Sequence, residues 1–161
     1  MRYIYIVIII FTSFVFFSCN QSENPKGKWL NGSGQDNIER IEEHFRGFGV
    51  AMFEIGYRYQ ELYWALSEEN WEYADHQVHE IEETIELALE RRAERRKSAT
   101  HFLNVALPEM EDFIKKKNSD GFELVFQSLT SSCNTCHAME QMPFIYVQKP
   151  ENRLSPVRKI K

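Results

Sequence analysis

Residues 38–66, IERIEEHFRGFGVAMFEIGYRYQELYWAL, carry the clearest periodic pattern in the chain. Their apolar side chains recur at spacings of three and four residues, the period of one face of an α-helix. The stripe consists of Ile38, Ile41, Phe45, Phe48, Met52, Ile55, Tyr59, Leu62 and Leu66. The pattern predicts one unbroken helix that buries this face, as helices in bundles do. Asp36 is placed to cap its start.

Three glycines, Gly47, Gly49 and Gly56, fall inside this predicted helix. Each one costs up to about 1 kcal/mol relative to alanine in a helix interior. We interpret them as places where a flat group or another helix approaches closely, with ordinary tolerance as the alternative.

Three more helical stretches follow. The second carries the stripe Trp71, Ala74, Val78, Ile81, Ile85 and Ala88 and ends in a basic run, Arg91 to Lys97, which we interpret as a solvated helix end. The third has apolar residues from Phe102 to Ile114, and Pro108 either kinks it or starts it. The fourth continues through Phe122, Phe126, Leu129, Cys133 and Cys136. Residues 37–141 are therefore predicted to be an all-α, antiparallel four-helix bundle, followed by an extended tail at 142–161.

The N-terminus has the pattern of an export signal. One charged residue, Arg2, precedes an apolar run that is too short to span a bilayer comfortably. Ser18-Cys19 resembles a lipobox, where bacterial lipoproteins are cleaved and acylated on the cysteine. We predict a signal peptide at residues 1–18, lipidation at Cys19 and a flexible linker at 19–36, with an uncleaved anchor or an ordinary signal as alternatives. The body would then be exported to the periplasmic side and held at a membrane.

The last predicted helix contains Cys133-Asn134-Thr135-Cys136-His137, a C-x-x-C-H sequence. This spacing is the attachment site of a c-type haem, because two thiols one turn apart can bond covalently to the haem while the next imidazole reaches the iron. Cys133 and Cys136 are the predicted attachment residues for one covalent haem c, and His137 is the predicted proximal iron ligand. The chain has three cysteines, so a disulfide framework is excluded, but a C-x-x-C disulfide or a metal half-site stays as an alternative.

The chain has 24 acidic and 19 basic side chains, a formal net charge of −5. This balance disfavours nucleic acid as a partner and is compatible with docking to a basic redox protein. No Ser/His/Asp arrangement, phosphate loop or zinc-hydrolase spacing occurs, so we do not predict an enzyme.

A four-helix bundle with C-x-x-C-H on its final helix resembles the cytochrome c-prime group and its low-spin relatives, over roughly residues 36–141. Residues 52–65, 70–74, 80–83 and 133–150 also look like a family of small bacterial monohaem proteins, whose tail after the motif is matched by Phe144, Ile145, Val147 and Pro150. The c-prime resemblance implies a haem-binding bundle and allows a homodimer by analogy. Gln141 stands where that group usually has a basic residue, which weakens any interpretation as a c-prime gas binder.

Met52 is the leading candidate for the sixth iron ligand. It lies on the predicted core stripe, and its placement resembles that of a first-helix methionine in the low-spin relatives. Plain core packing is the alternative. His44 lies one step off the stripe and is a weaker candidate. His76 and His79 are expected at the surface, and Met139 and Met142 are expected to lie too close to His137 in sequence to reach the opposite haem face.

Two functions fit a haem on this chain. An electron carrier predicts a six-coordinate, low-spin iron, whereas a protein that senses or scavenges a small gas such as nitric oxide predicts a five-coordinate, high-spin iron. The electron carrier is the preferred interpretation.

Overall fold

The computed structural model describes residues 27, 29–45 and 47–160. Over this part of the chain every regular element is helical and no strand is present, which confirms the predicted all-α class. The predicted signal peptide at 1–18, the lipidation site Cys19 and much of the 19–36 linker lie outside the described residues.

The described helical elements follow one another along the chain. They are α1 Gly34–His44, α2 Phe48–Ser67, α3 Trp71–Arg91, a 3-10 turn Ala93–Arg95, α4 Arg96–His101, a π turn Phe102–Ala106, α5 Leu107–Lys116 and α6 Phe122–Met139. The chain divides into two compact units, Met1–Phe45 and Arg46–Lys161. The first contains α1 and the second contains α2 to α6.

Helix α1 begins with a capping box, and the residue that caps it differs from the predicted one. Ser33 is the N-cap, and its hydroxyl accepts a hydrogen bond from the Asp36 backbone N–H. The Asp36 carboxylate in turn accepts from the Ser33 backbone N–H at 3.0 Å. The side-chain hydrogen bond from Ser33 is the main cause that lowers the pKa of Asp36. The prediction of Asp36 as the N-cap was therefore wrong, although Asp36 does take part in the cap.

The single helix predicted over residues 38–66 is two helices. Helix α1 ends with Phe45 as its C-cap, and α2 begins after Gly47, its N-cap. Gly47 is thus not inside a helix. No residue of α1 is buried, so Ile38 and Ile41 do not belong to the core. Residue spacing alone missed the break because the apolar period carries on across it, while two nearby glycines lower the cost of interrupting the helix there.

The core lies in the second unit, where α2 packs on α3, α3 on α5, and α6 on α2, α4, the π turn and α5. The predicted stripes of α2 and α3 form much of it. Buried residues of these two helices include Ile55, Tyr59, Leu62, Leu66, Ala74, Val78, Ile81, Ile85 and Ala88. From the later elements, Phe102, Leu107, Met110, Ile114, Phe126 and Leu129 complete it.

The third predicted helix is interrupted before its proline. A π turn spans Phe102–Ala106, and Pro108 is the second residue of α5. Proline cannot donate the hydrogen bond to the carbonyl four residues earlier, and its ring crowds that carbonyl. A wider turn at this point relieves both problems, so α4, the π turn and α5 succeed one another without a loop.

Residues after α6 contain no helix as far as residue 160, and they lie against other elements of the second unit. The Lys149 ammonium lies 3.3 Å from the Glu123 carboxylate. Arg153 is almost buried and lies 3.9 Å from the Glu61 carboxylate, which is itself buried and also accepts a hydrogen bond from the Tyr73 hydroxyl. The extended segment is therefore held against α2 and α6 by charged and polar contacts.

Two leucines of α6 allow a matched test of this core. Leu129 is 1% exposed and Leu124 is 72% exposed. We expect Leu129→Ala to lower the free energy of unfolding by about 2–5 kcal/mol, because it removes buried methyl groups and leaves a cavity. The same change at Leu124 should stay within about 0.5 kcal/mol. Urea titration of both variants measures the difference, and equal midpoints would contradict the placement of Leu129 in the core.

Candidate cofactor site on the last helix

Helix α6 carries the C-x-x-C-H sequence on the face that it turns to the core. Gly121 is its N-cap and adopts a φ of +86°, a conformation that favours glycine. Phe126 and Leu129 are buried and fix the helix against its neighbours. Cys133 and Cys136 continue at spacings of four and three residues, so the two thiols follow this face. Both are half-buried free cysteines.

A cavity of about 290 Å³ adjoins the motif. Cys133, Cys136 and His137 of α6 line it together with Met52 of α2. Its other lining residues are mostly apolar: Phe48, Ile55, Gly56, Tyr59, Ile85, Arg95, Phe102, Glu140, Met142, Ile145 and Val147. The volume lies near the lower end of the range of roughly 300–1,000 Å³ found for ligand pockets. Gly56 adds no side chain to it, and a Cβ built there would meet no atom within 4 Å.

A backbone carbonyl fixes the His137 ring. The Nδ1 atom of His137 lies 2.8 Å from the Ile145 carbonyl oxygen. A carbonyl oxygen can only accept, so Nδ1 carries the proton and donates it. In a neutral imidazole this leaves the lone pair on Nε2 as the ligating atom. Histidines that bind metals almost always have their other ring N–H held in this way.

The segment that supplies this carbonyl is itself tied to α6 and α2. The Asn134 side chain accepts from the Val147 N–H at 2.7 Å and donates to the Val147 carbonyl at 2.8 Å. The Tyr59 hydroxyl lies 2.7 Å from the Thr130 hydroxyl and donates to the Gln148 carbonyl at 3.3 Å. Burial raises the pKa of Tyr59 to about 12, so this phenol is neutral and can act as a donor.

Burial keeps both motif thiols protonated. It raises the pKa of Cys133 to about 12, and the neighbouring Cys136 adds to this rise. The pKa of Cys136 is also raised by burial, against the opposing effect of a hydrogen bond with Ser98. Redox-active C-x-x-C pairs have a lowered thiol pKa, because the thiolate is the reactive form. The environment of these cysteines is therefore unlike that of a dithiol oxidoreductase.

This burial predicts unequal alkylation of the folded chain produced without haem. A pKa of about 12 in place of the ordinary ~8.5 cuts the Cys133 thiolate fraction at pH 8 by roughly a thousandfold. We expect iodoacetamide to modify Cys133 far more slowly than Cys136 in buffer, and both at similar rates in concentrated urea. Peptide mass spectrometry over a time course measures the two rates. Faster reaction at Cys133 in the folded chain would contradict its burial.

Arg95 contributes a charge that the sequence interpretation placed in solvent. It belongs to the basic run at the end of α3, yet it lines the cavity and its guanidinium carbon lies 5.0 Å from the centre of the Phe48 ring. Its Nε atom lies 3.4 Å from the Glu140 carboxylate, which also accepts a hydrogen bond from the Ser98 hydroxyl. The charges of Arg95 and Glu140, which both line the cavity, therefore offset each other.

The candidate sixth ligands differ in whether they line the cavity. Met52 is half-buried and lines the cavity, and so does Met142, which the sequence interpretation had set aside. His76, His79 and Met139 are exposed and none of them lines the cavity. His44 is exposed and lies on α1, in the other unit.

The residues present fit a covalently held haem. Two thiols on one helical turn, an imidazole with a free Nε2 and a thioether from a second helix all line one apolar cavity. Within the described residues no group of three or more His, Cys, Asp or Glu side chains could hold a metal ion. The alternative of a zinc half-site therefore finds no further ligands in that part of the chain.

Comparison of the chain with family models, with curated proteins and with solved structures finds no match. None of the described helices is long and apolar enough to cross a membrane.

Proposed function

We propose that this chain is an exported, lipid-anchored monohaem c-type cytochrome that carries single electrons between redox proteins. The observation that supports it best is the cavity that Cys133, Cys136 and His137 share with Met52. Met52 is distant from the other three in sequence, and together the four residues supply every kind of ligand that such a protein needs. The C-x-x-C-H sequence also resembles c-type haem sites, which favours the same function.

Each residue has a separate task in this proposal. Cys133 and Cys136 hold the haem through thioether bonds, and His137 provides the proximal nitrogen, oriented by the Ile145 carbonyl. Met52 provides the sixth ligand. When bound, the haem supplies the one-electron iron couple. The apolar side chains around the cavity keep water out, which together with a thioether ligand raises the reduction potential.

The proposed architecture is an antiparallel four-helix bundle made of α2, α3, the α4–α5 segment and α6. The packing of α2 on α3, α3 on α5 and α5 on α6 supports it. The predicted bundle range was 37–141, and the bundle proposed here begins with α2 because no residue of α1 is buried.

The proposal includes a cellular setting that follows from the sequence. In this proposal a signal at 1–18 directs export, a lipid on Cys19 holds the protein on the periplasmic side of a membrane, and the segment at 142–160 belongs to the folded body. Its partners are redox proteins and a second copy by analogy, not nucleic acid, and no substrate is turned over.

The test is the full chain expressed in a host with haem maturation machinery. A pyridine haemochrome spectrum of thioether-bound haem, together with sharp α and β bands in the reduced protein, is the expected result. Covalent haem with broad high-spin bands would select the gas-binding function instead. A chain without covalent haem would overturn the proposal and leave a C-x-x-C disulfide or metal half-site.

A further inference from the structure

Asn134, a variable position of the C-x-x-C-H sequence, makes a two-point contact with the extended segment after α6. Its side-chain oxygen accepts from the Val147 N–H at 2.7 Å, and its side-chain nitrogen donates to the Val147 carbonyl at 2.8 Å. A side-chain amide offers an acceptor and a donor on two separate atoms, whereas an ionised carboxylate has no donor and a hydroxyl has a single polar atom. The contact joins two points that lie 13 residues apart in sequence.

The same segment supplies the acceptor for His137. Ile145 precedes Val147 by two residues, and its carbonyl oxygen lies 2.8 Å from His137 Nδ1. Fixing both backbone polar groups of Val147 therefore limits where the Ile145 carbonyl can be. Asn134 lies three residues before His137 on the same helix. The segment is thus held at both ends by residues one helical turn apart.

Because of this geometry, we propose that Asn134 is a positioning residue for the proximal histidine. It holds the Ile145 carbonyl at the distance where it accepts the Nδ1 proton, and this hydrogen bond sets how strongly Nε2 donates to the iron. A well-held acceptor makes the imidazole a better donor and stabilises the oxidised iron. The inference rests on the proposed function, since it assigns a role within the same haem site.

A matched pair of variants separates this role from general packing. Asn134→Ala removes both contacts with Val147, and Asn134→Asp keeps the acceptor and loses the donor. Thr135→Ala is the control, because Thr135 occupies the other variable position and, among the described residues, bonds only the Ser131 carbonyl of its own helix. All three are prepared as the full chain matured with haem.

The first measurement is the midpoint potential by optical redox titration. We expect Asn134→Ala to shift the equilibrium about tenfold toward reduced iron, which is ~59 mV upward for a one-electron couple. Asn134→Asp keeps the acceptor and adds a negative charge that favours oxidised iron, so its potential should lie below that of Asn134→Ala. Thr135→Ala should match the wild type. The second measurement is hydrogen exchange at the Val147 amide, which should become faster in Asn134→Ala and stay unchanged in Thr135→Ala.

The outcomes distinguish the positioning role of Asn134 from the proposed haem function. Covalent haem in all variants, with the potential of Asn134→Ala equal to that of the wild type, would overturn the positioning role and leave the proposed function intact. A shift of equal size in Thr135→Ala would also overturn it, since the effect would then not depend on Val147. A wild-type chain without covalent haem would overturn the proposed function and this inference with it.

Discussion

Replacement of both Cys133 and Cys136 by serine is expected to leave the chain with no haem that survives denaturation. The two thioether bonds are the proposed covalent attachment, and serine hydroxyls do not form them. The measurement is haem staining of a denaturing gel together with the pyridine haemochrome spectrum. We expect complete loss of the stain, because no other cysteine lies in the described part of the chain.

Thr135→Ala is the control for this result, since it changes the same turn of α6 without touching either thiol. It should keep the full stain. Each single serine variant should keep at most one thioether and move the haemochrome band toward that of a singly attached haem. Haem retained through denaturation in the double variant would contradict the assignment of Cys133 and Cys136 as the attachment residues.

Met52→Ala is expected to abolish the low-spin spectrum of the reduced protein. Met52 shares the cavity with His137 but comes from a different helix, so it can face the iron from another direction. Its loss leaves the iron with the imidazole alone, which favours a high-spin state. The potential should also fall, because a thioether opposite an imidazole raises it. Absorption spectra of both oxidation states measure the change.

Two other methionines provide controls for this variant. Met142 also lines the cavity and Met139 is exposed, but both follow His137 closely in sequence. Met142→Ala and Met139→Ala should keep the sharp α and β bands. If Met142→Ala removes these bands and Met52→Ala does not, the sixth ligand is Met142, and Met52 only packs in the cavity wall.

Much of the helical core could be predicted from residue spacing. The α3 stripe from Ala74 to Ala88 is buried as the period indicates, and Phe126 and Leu129 bury the inner face of α6. Spacing succeeds here because a helix that packs on one side must bury side chains every three or four residues. The start of the bundle could not be predicted in this way, since the stripe through Ile38 and Ile41 continues the same period on a helix with no buried residue.

The surroundings of the site were much harder to predict than the motif. Arg95 lies in a run of basic residues typical of a solvated helix end, yet it borders the cavity and pairs with Glu140. Asn134 has no signal in the sequence beyond its place in the motif. Its contact with Val147 depends on how the segment after α6 folds back, and no local sequence pattern predicts that fold.

The sequence by itself determined the helical class and the two thiols with their neighbouring imidazole, because both depend on residues within a few positions of one another. Only the tertiary structure decided that Met52 borders the same cavity, that the Ile145 carbonyl holds His137 Nδ1, and that no residue of α1 is buried. These features join residues distant along the chain, and such contacts are set by how helices and the returning segment pack rather than by the order of residues in any one of them.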